Sequence, residues 1–255
     1  MRISVIQPDI VWENKFRNFS KYEQMISLMN HPDIIILPEM FSTGFTASCE
    51  NQGEPPESET FDWMIQMAVK SSSGICGSYI VKEGSKYFNR FVFVTPDKKS
   101  WSYDKRHLFK MDNVENNLTA GRKRLVFKFR GFRICPNICY DLRFPVWSRN
   151  INDYDLLINS ANWPEARRDV WITLLKARAI ENLSFVAGAN RIGTDGTGTK
   201  YCGESLILNP KGEEITSAGK NKECSITADI SLEELKAFRK KFPAHLDSDK
   251  FTIIP

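Results

Sequence analysis

Phe132-Arg-Ile-Cys-Pro-Asn-Ile138 runs directly into Cys139-Tyr-Asp-Leu-Arg-Phe-Pro145. The first part reads as an apolar strand, and the second as a polar turn or short helix initiated by proline. Apolar residues on both faces of a strand require cover on both sides, which argues for an α/β architecture with layers above and below the sheet. Further strands are expected at Leu125 to Phe129, Leu156 to Asn159, Phe185 to Ala189, Leu206 to Leu208 and Ser225 to Ile230, several of them apolar on both faces, with a helix from about Val170 to Asn182.

Towards the N-terminus, Ile3 to Ile6 opens as a strand. Phe16, Phe19, Tyr22, Ile26 and Met29 then recur at helical spacing and predict one buried stripe. Ile34 to Leu37 is a buried strand that Pro38 must end, since proline donates nothing to a ladder, and this leaves Glu39 at the strand mouth. A second helix carries Phe61, Met64, Ile65, Ala68 and Val69 on one face. Strands at Ile75 to Val81 and Phe88 to Val94, a turn at Thr95-Pro-Asp-Lys98 and a return strand through Tyr103 feed into Lys105. Near the other end, Ser231-Leu-Glu-Glu234 has capping-box spacing and predicts a short helix through Phe238. No linker or repeat interrupts the 255 residues, so a single domain over 1–255 is expected.

Charge and composition narrow the function. The 35 Lys and Arg against 31 Asp and Glu give a net +4, which is no clustered basic footprint, so a small-molecule partner is expected and nucleic acid is not. The opening residues lack the apolar core of a secretory signal, and no later segment supplies about 18 consecutive apolar residues. A cytoplasmic protein without a membrane span is expected. The six cysteines form no C-x-x-C pair and read as reduced thiols.

Cys139 is the first candidate for chemistry. A thiol at a strand-to-turn junction is presented to a ligand, and the next backbone N–H, that of Tyr140, can point at a developing oxyanion. A buried structural cysteine is the alternative. Thiol hydrolases usually draw a base from histidine, yet His31 precedes a proline, His245 lies in a polar tail and His107 reads as a structural hydrogen-bonder. A desolvated glutamate and a lysine can do the same work, which turns attention to Glu39 and Lys105, with surface charges as the alternative for each. Cys135 lacks the partners of a zinc site, and no metal or cofactor is implied. The Gly193-Thr-Asp-Gly-Thr-Gly-Thr-Lys200 stretch ends in the wrong order for a phosphate loop and reads as a flexible loop. Asn162 and Trp163 follow a strand, and Phe41 and Phe45 follow Glu39; each could line a pocket or fill the core.

Leu37-Pro-Glu39-Met-Phe, Tyr103-Asp-Lys105-Arg-His-Leu-Phe and Asn137-Ile-Cys139-Tyr-Asp-Leu-Arg-Phe-Pro together resemble the nitrilase superfamily of carbon–nitrogen hydrolases, in that family's chain order. The likeness extends to Asn190-Arg-Ile-Gly193 and Asn209-Pro-Lys-Gly212. It implies a four-layer α-β-β-α sandwich, usually a homodimer, that uses Cys139 as nucleophile, Glu39 as general base and Lys105 as the cation that stabilises the tetrahedral intermediate. Many members have a second glutamate between the lysine and the cysteine. Glu115 is the nearest candidate, with a salt-bridge role as its alternative. Cys139-Tyr-Asp-Leu-Arg-Phe-Pro145 and Ser160-Ala-Asn-Trp-Pro164 look most like the omega-amidase branch, which hydrolyses the terminal amide of 2-oxoglutaramate and related acids. Such a substrate calls for a buried cation or a set of polar donors at its remote carboxylate; Arg143, Arg167 and Arg168 are available, with bracing of the active-site turn as the alternative for Arg143. Another hydrolase of the superfamily, an N-carbamoyl amidase or a nitrilase, and a catalytically silent binding protein are the other readings.

Overall fold

A computed structural model of the chain describes residues 1–111 and 114–253. In chain order the strands are β1 (Arg2–Gln7), β2 (Ile34–Ile36), β3 (Gly74–Glu83), β4 (Lys86–Val94), β5 (Ser100–Asp104), β6 (Phe127–Phe129), β7 (Phe132–Ile138), β8 (Leu156–Ser160), β9 (Phe185–Ala189), β10 (Ile192–Thr194), β11 (Lys200–Cys202), β12 (Leu206–Leu208), β13 (Glu214–Ser217) and β14 (Cys224–Asp229). The helices are α1 (Lys15–Ser27), α2 (Cys49–Gln52), α3 (Glu59–Ser71), α4 (Pro145–Ser148), α5 (Arg168–Asn182) and α6 (Leu232–Lys241).

Two six-stranded sheets carry the fold, in the orders β14-β1-β2-β3-β4-β5 and β13-β12-β9-β8-β7-β6. Strands β1, β2 and β3 are parallel, as are β7, β8 and β9, while the outer pairs are antiparallel. Strand side chains alternate between faces, and this sorts the apolar residues into layers. Ile3, Val5, Ile34, Ile36, Phe91 and Phe93 of the first sheet pack against Ile134, Leu156, Ile158, Phe185 and Ile207 of the second, forming the central core. On the outer face of the first sheet, Ile35, Ile75, Tyr79 and Val92 meet Phe19, Tyr22 and Ile26 of α1 and Trp63, Met64 and Met67 of α3. On the outer face of the second, Leu157, Val186 and Leu206 meet Trp171, Leu175 and Ala179 of α5. The order is therefore helix, sheet, sheet, helix, as the resemblance implies. Among the described residues no helix is long and apolar enough to cross a membrane.

Two expected helix faces need correction. Phe16 is 61% exposed: it lies in the first turn of α1 with its ring edge-on to Phe19, at 6.3 Å between centres, and it is Phe19 that is buried. Val69 is 48% exposed, since α3 turns Trp63 and Met67 inward to stack on Phe19 and the sheet. The capping box is half formed: Ser231 Oγ accepts from the Glu234 amide at 3.2 Å, and the helix continues to Lys241. Strands β10, β11 and β13 carry too little apolar pattern to be expected.

The parallel strands of both sheets end on the same side. Leu37, Cys139 and Ala161 are the residues where β2, β7 and β8 give way to irregular chain, and open α/β sheets place their sites at such carboxyl ends. The central core holds those ends in register. Truncating the fully buried Ile158 to alanine is expected to lower the unfolding free energy by about 2–5 kcal/mol, read from denaturant melts.

Candidate active site

Each central side chain sits where a strand has just ended. After β2 the Leu37 amide still bonds the Cys76 carbonyl at 2.7 Å, and Pro38 then stops the ladder. Met40 has a φ of 42°, and its amide donates to Ser78 Oγ at 3.0 Å, so the chain turns sharply and drives Glu39 inward to full burial. Lys105 follows β5 and is anchored by its own amide on the Asn89 carbonyl at 2.9 Å. Cys139 follows β7 with a φ of 43°, a left-handed conformation that costs a non-glycine residue on the order of 1–2 kcal/mol. The chain then continues as a 3-10 helix over Cys139–Arg143.

These turns bring three elements together. Lys105 Nζ donates to Glu39 Oε1 and to Glu115 Oε1, both at 2.8 Å, and all three side chains are fully buried. Glu39 Oε1 also accepts from Asn89 Nδ2 at 2.8 Å, and Oε2 accepts from the Asn162 amide at 2.9 Å. Glu115 Oε2 accepts a short hydrogen bond from the Phe109 amide. The Cys139 thiol donates to the Asn162 carbonyl at 3.8 Å, and the Glu39 carboxylate acts on it electrostatically. The ammonium of Lys105 also lies 5.5 Å from the centre of the Phe45 ring.

Burial opposes the charge on Lys105, but Glu115, Glu39 and Cys139 outweigh it and hold its pKa above the ordinary lysine value. Lys105 is thus a permanent cation at any physiological pH. Burial raises the pKa of Glu115, offset by Lys105 and reinforced by Glu39. Burial also pushes the Cys139 thiol well above its usual range, with Glu39 adding to the rise and Lys105 opposing it. At rest the sulfur therefore keeps its proton, and a base in contact with it is required before it can act as a nucleophile.

A second carboxylate joins the cysteine turn to the lysine segment. Asp141 is fully buried; its Oδ1 accepts from the amide and Nδ1 of His107 at 2.9 and 2.8 Å. Its Oδ2 accepts from Tyr103 Oη at 2.7 Å and the Ile138 amide at 3.0 Å. Tyr103 Oη in turn accepts from Trp147 Nε1 at 2.9 Å and the Arg106 amide at 3.2 Å, so its only proton goes to Asp141. Since Asp141 is the acceptor throughout, His107 carries its proton on Nδ1. The ring stacks on Phe144 at 3.7 Å, which gives His107 the structural role its sequence context suggests.

A cavity of about 500 Å³ opens above the sulfur. Its wall includes Phe45, Lys105, Cys139, Tyr140, Asn162 and Trp163, with Arg143 and Arg167 on one side. Among the described residues neither guanidinium has an ion pair; Arg143 lies 5.3 Å from the centre of the Trp163 ring and Arg167 lies 5.0 Å from that of Phe109. Two expected residues are elsewhere. Phe41 is part of the aromatic cluster with Tyr22, Trp63 and Tyr79 between the first sheet and its helices, because its position after the Glu39 turn faces away from the cavity. Arg168 is taken up by Glu204 and Asp169. The stretch read as a flexible loop is the tip of the β10–β11 hairpin, and its Asp195, Thr197 and Thr199 border the cavity with Tyr201. Asp195 pins this tip by accepting from the amides of Thr197 and Thr199 and from Tyr201 Oη.

Sequence reading missed Asn89, Asp141 and this hairpin. Asn89 has a usable signal: it occupies the inward register of β4 after Phe93 and Phe91, where an apolar side chain is the default. Asp141 sits within the quoted motif but reveals its partners only in three dimensions.

The carbon-nitrogen hydrolase family profile matches residues 2–240. The chain is 42% identical over 254 residues to omega-amidase YafV of Yersinia enterocolitica, covering 100% of this chain and 99% of that protein. It is 33% identical to 2-oxoglutaramate amidase of Bacillus subtilis, covering 97% of each. XC1258 of Xanthomonas campestris, a CN-hydrolase superfamily protein solved with an arsenic adduct in its active site, superposes with a TM-score of 0.96 at 38% identity, covering 99% of this chain and 98% of that one.

Replacing Lys105 by methionine strands two carboxylates in the interior and is expected to cost about 3–5 kcal/mol at neutral pH. Unpaired buried carboxylates bind protons more tightly in the folded than in the unfolded chain. Stability of the variant is therefore greatest at acidic pH and is lost as pH rises through the elevated folded-state pKa. Denaturant melts at mildly acidic and neutral pH measure this; a deficit that does not grow with pH contradicts the ion-pair assignment.

Proposed function

The chain belongs to the carbon-nitrogen hydrolase family, and from that premise we propose that it is an omega-amidase, cleaving the terminal amide of a short carboxylic-acid amide such as 2-oxoglutaramate and releasing ammonia. The observation that carries this reading is a buried lysine between two glutamates, beside a thiol, at the floor of a cavity lined by two arginines that have no ion pair among the described residues.

In the proposed mechanism, Glu39 accepts the Sγ proton as the sulfur attacks the amide carbon. Proton transfer that accompanies bond formation suits a thiol whose pKa burial and Glu39 raise. The carbonyl electrons move onto oxygen, and Lys105 and the Tyr140 amide stabilise the oxyanion. That amide, near the start of the 3-10 helix, has no acceptor within its own turn. Loss of one such donor costs on the order of 10²–10³ in kcat. When the C–N bond breaks, the proton held by Glu39 passes to nitrogen and ammonia leaves a thioester on Cys139. Water then gives a proton to Glu39 and attacks the thioester; collapse releases the acid and returns the proton to sulfur. Glu115 holds the second side of Lys105, keeping the ammonium aimed at the reacting oxygen.

The remote carboxylate of the substrate fits Arg143 or Arg167, whose guanidinium groups are braced on rings and, among the described residues, have no counter-ion. A cavity of this size suits a small acid. Assembly as a homodimer rests on the family resemblance and belongs to the same proposal.

Ammonia release from 2-oxoglutaramate by the wild type, with none from Cys139→Ala, is the expected result. Full activity in that variant overturns the nucleophile assignment. Arg143→Met and Arg167→Met separate the two cations: the one that binds carboxylate is expected to raise KM for 2-oxoglutaramate about tenfold or more, while leaving an uncharged amide within about twofold. Equal effects on both substrates contradict a carboxylate role.

A further inference from the structure

Asn89 is fully buried between the two sheets, at the end of the inward-facing row that Phe93 and Phe91 begin on β4. Its Nδ2 donates to Glu39 Oε1 at 2.8 Å and lies 3.4 Å from Glu115 Oε1, so one amide spans both carboxylates opposite Lys105. Its Oδ1 has no protein donor among the described residues. A buried amide with half of its hydrogen-bonding capacity unmatched by protein is a poor choice for stability, where an aliphatic side chain of the same shape avoids desolvation altogether.

The carboxylates do not depend on Asn89 to satisfy their oxygens. Without it, Glu39 Oε1 keeps Lys105, Glu39 Oε2 keeps the Asn162 amide, Glu115 Oε1 keeps Lys105 and Glu115 Oε2 keeps the Phe109 amide. The contact to Lys105 through the Asn89 backbone carbonyl is likewise independent of the side chain. What the amide adds is asymmetry. Among the described residues it gives Glu39 Oε1 a second donor, while Oε2 has one, so the open acceptor position of the base is on Oε2. It also places two N–H dipoles where the like charges of Glu39 and Glu115 converge.

We propose that Asn89 is a positioning residue for the general base: its amide fixes the rotation of the Glu39 carboxylate beside Glu115, leaving one oxygen to take the thiol proton. The inference rests on the reading of Glu39 as base. The titratable groups around that carboxylate are Lys105 from the end of β5, Glu115 from the segment after it and Cys139 from the end of β7. Taking a donor away from a carboxylate raises its proton affinity, so the acidic limb of the kcat/KM profile moves to higher pH. An added negative charge moves it the same way.

The test uses Asn89→Leu, matched in shape, and Asn89→Asp, matched in shape but able to add a third carboxylate. Amide hydrolysis and melting are followed across pH for both, with Glu39→Gln alongside. For Asn89→Leu the expected result is a melting temperature within about 4 °C of the wild type. Its kcat falls about tenfold or more with KM within about threefold, and its acidic limb moves upward. For Asn89→Asp the limb moves at least as far. A leucine variant that melts much lower or fails to fold assigns Asn89 to the fold and overturns the proposal, as does an Asn89→Asp enzyme with an unmoved limb. Wild-type kcat and limb in Asn89→Leu overturn it as well, leaving the base assignment intact. Retained activity in Glu39→Gln removes the base assignment itself.

Discussion

One ammonium held between two carboxylates, away from solvent, is the interaction on which the site depends. Lys105, Glu39 and Glu115 are all fully buried, and none can be desolvated alone at tolerable cost. Together they form a cluster with one surplus negative charge when the sulfur is neutral, and Asn89, the Asn162 amide and the Phe109 amide supply neutral donors to it. A thiol added to this cluster is pushed towards its protonated form. In the proposed mechanism the Glu39 carboxylate accepts that proton, so the same cluster that holds the thiol protonated at rest would also activate it.

The fold exists in this form to hold that cluster at a seam. Glu39, Lys105 and Asn89 come from the first sheet, Cys139 and Asn162 from ends of the second, and the central apolar core fixes the two sheets against each other. Asp141 makes the join local, because its carboxylate bonds the amide just before Cys139 and three groups around Lys105. Its contacts counter the left-handed turn at Cys139, whose strain a flexible loop would release by swinging the sulfur away.

Much of this is legible in the sequence. Strong apolar runs gave β7, β9 and β12 their observed bounds, and the proline after Leu37 and the motif ending at Pro145 directed attention to Glu39 and Cys139. Phe16, Val69 and Phe41 show where periodicity runs out. A helical stripe fixes an angle only to within about one residue, and a turn decides which of two nearby aromatic rings enters a cavity. Glu115 lies in a segment without pattern, and only its long reach to Lys105 identifies it. Asn89 is separated from Glu39 by 50 positions and Asp141 from Tyr103 by 38, distances over which local spacing carries no information. The β10–β11 hairpin is invisible for another reason: its order comes from Asp195 bonding within the turn, not from burial of an apolar face.

The central claim is that the amide's acyl group passes through a thioester on Cys139. Rapid acid quench of the enzyme during turnover of 2-oxoglutaramate, followed by intact and peptide mass spectrometry, observes that species directly. The account predicts a transient adduct with the mass of the acyl group, confined to the peptide bearing Cys139 and released by hydroxylamine. Turnover with no such adduct under conditions that slow deacylation, or an adduct on another residue, contradicts it.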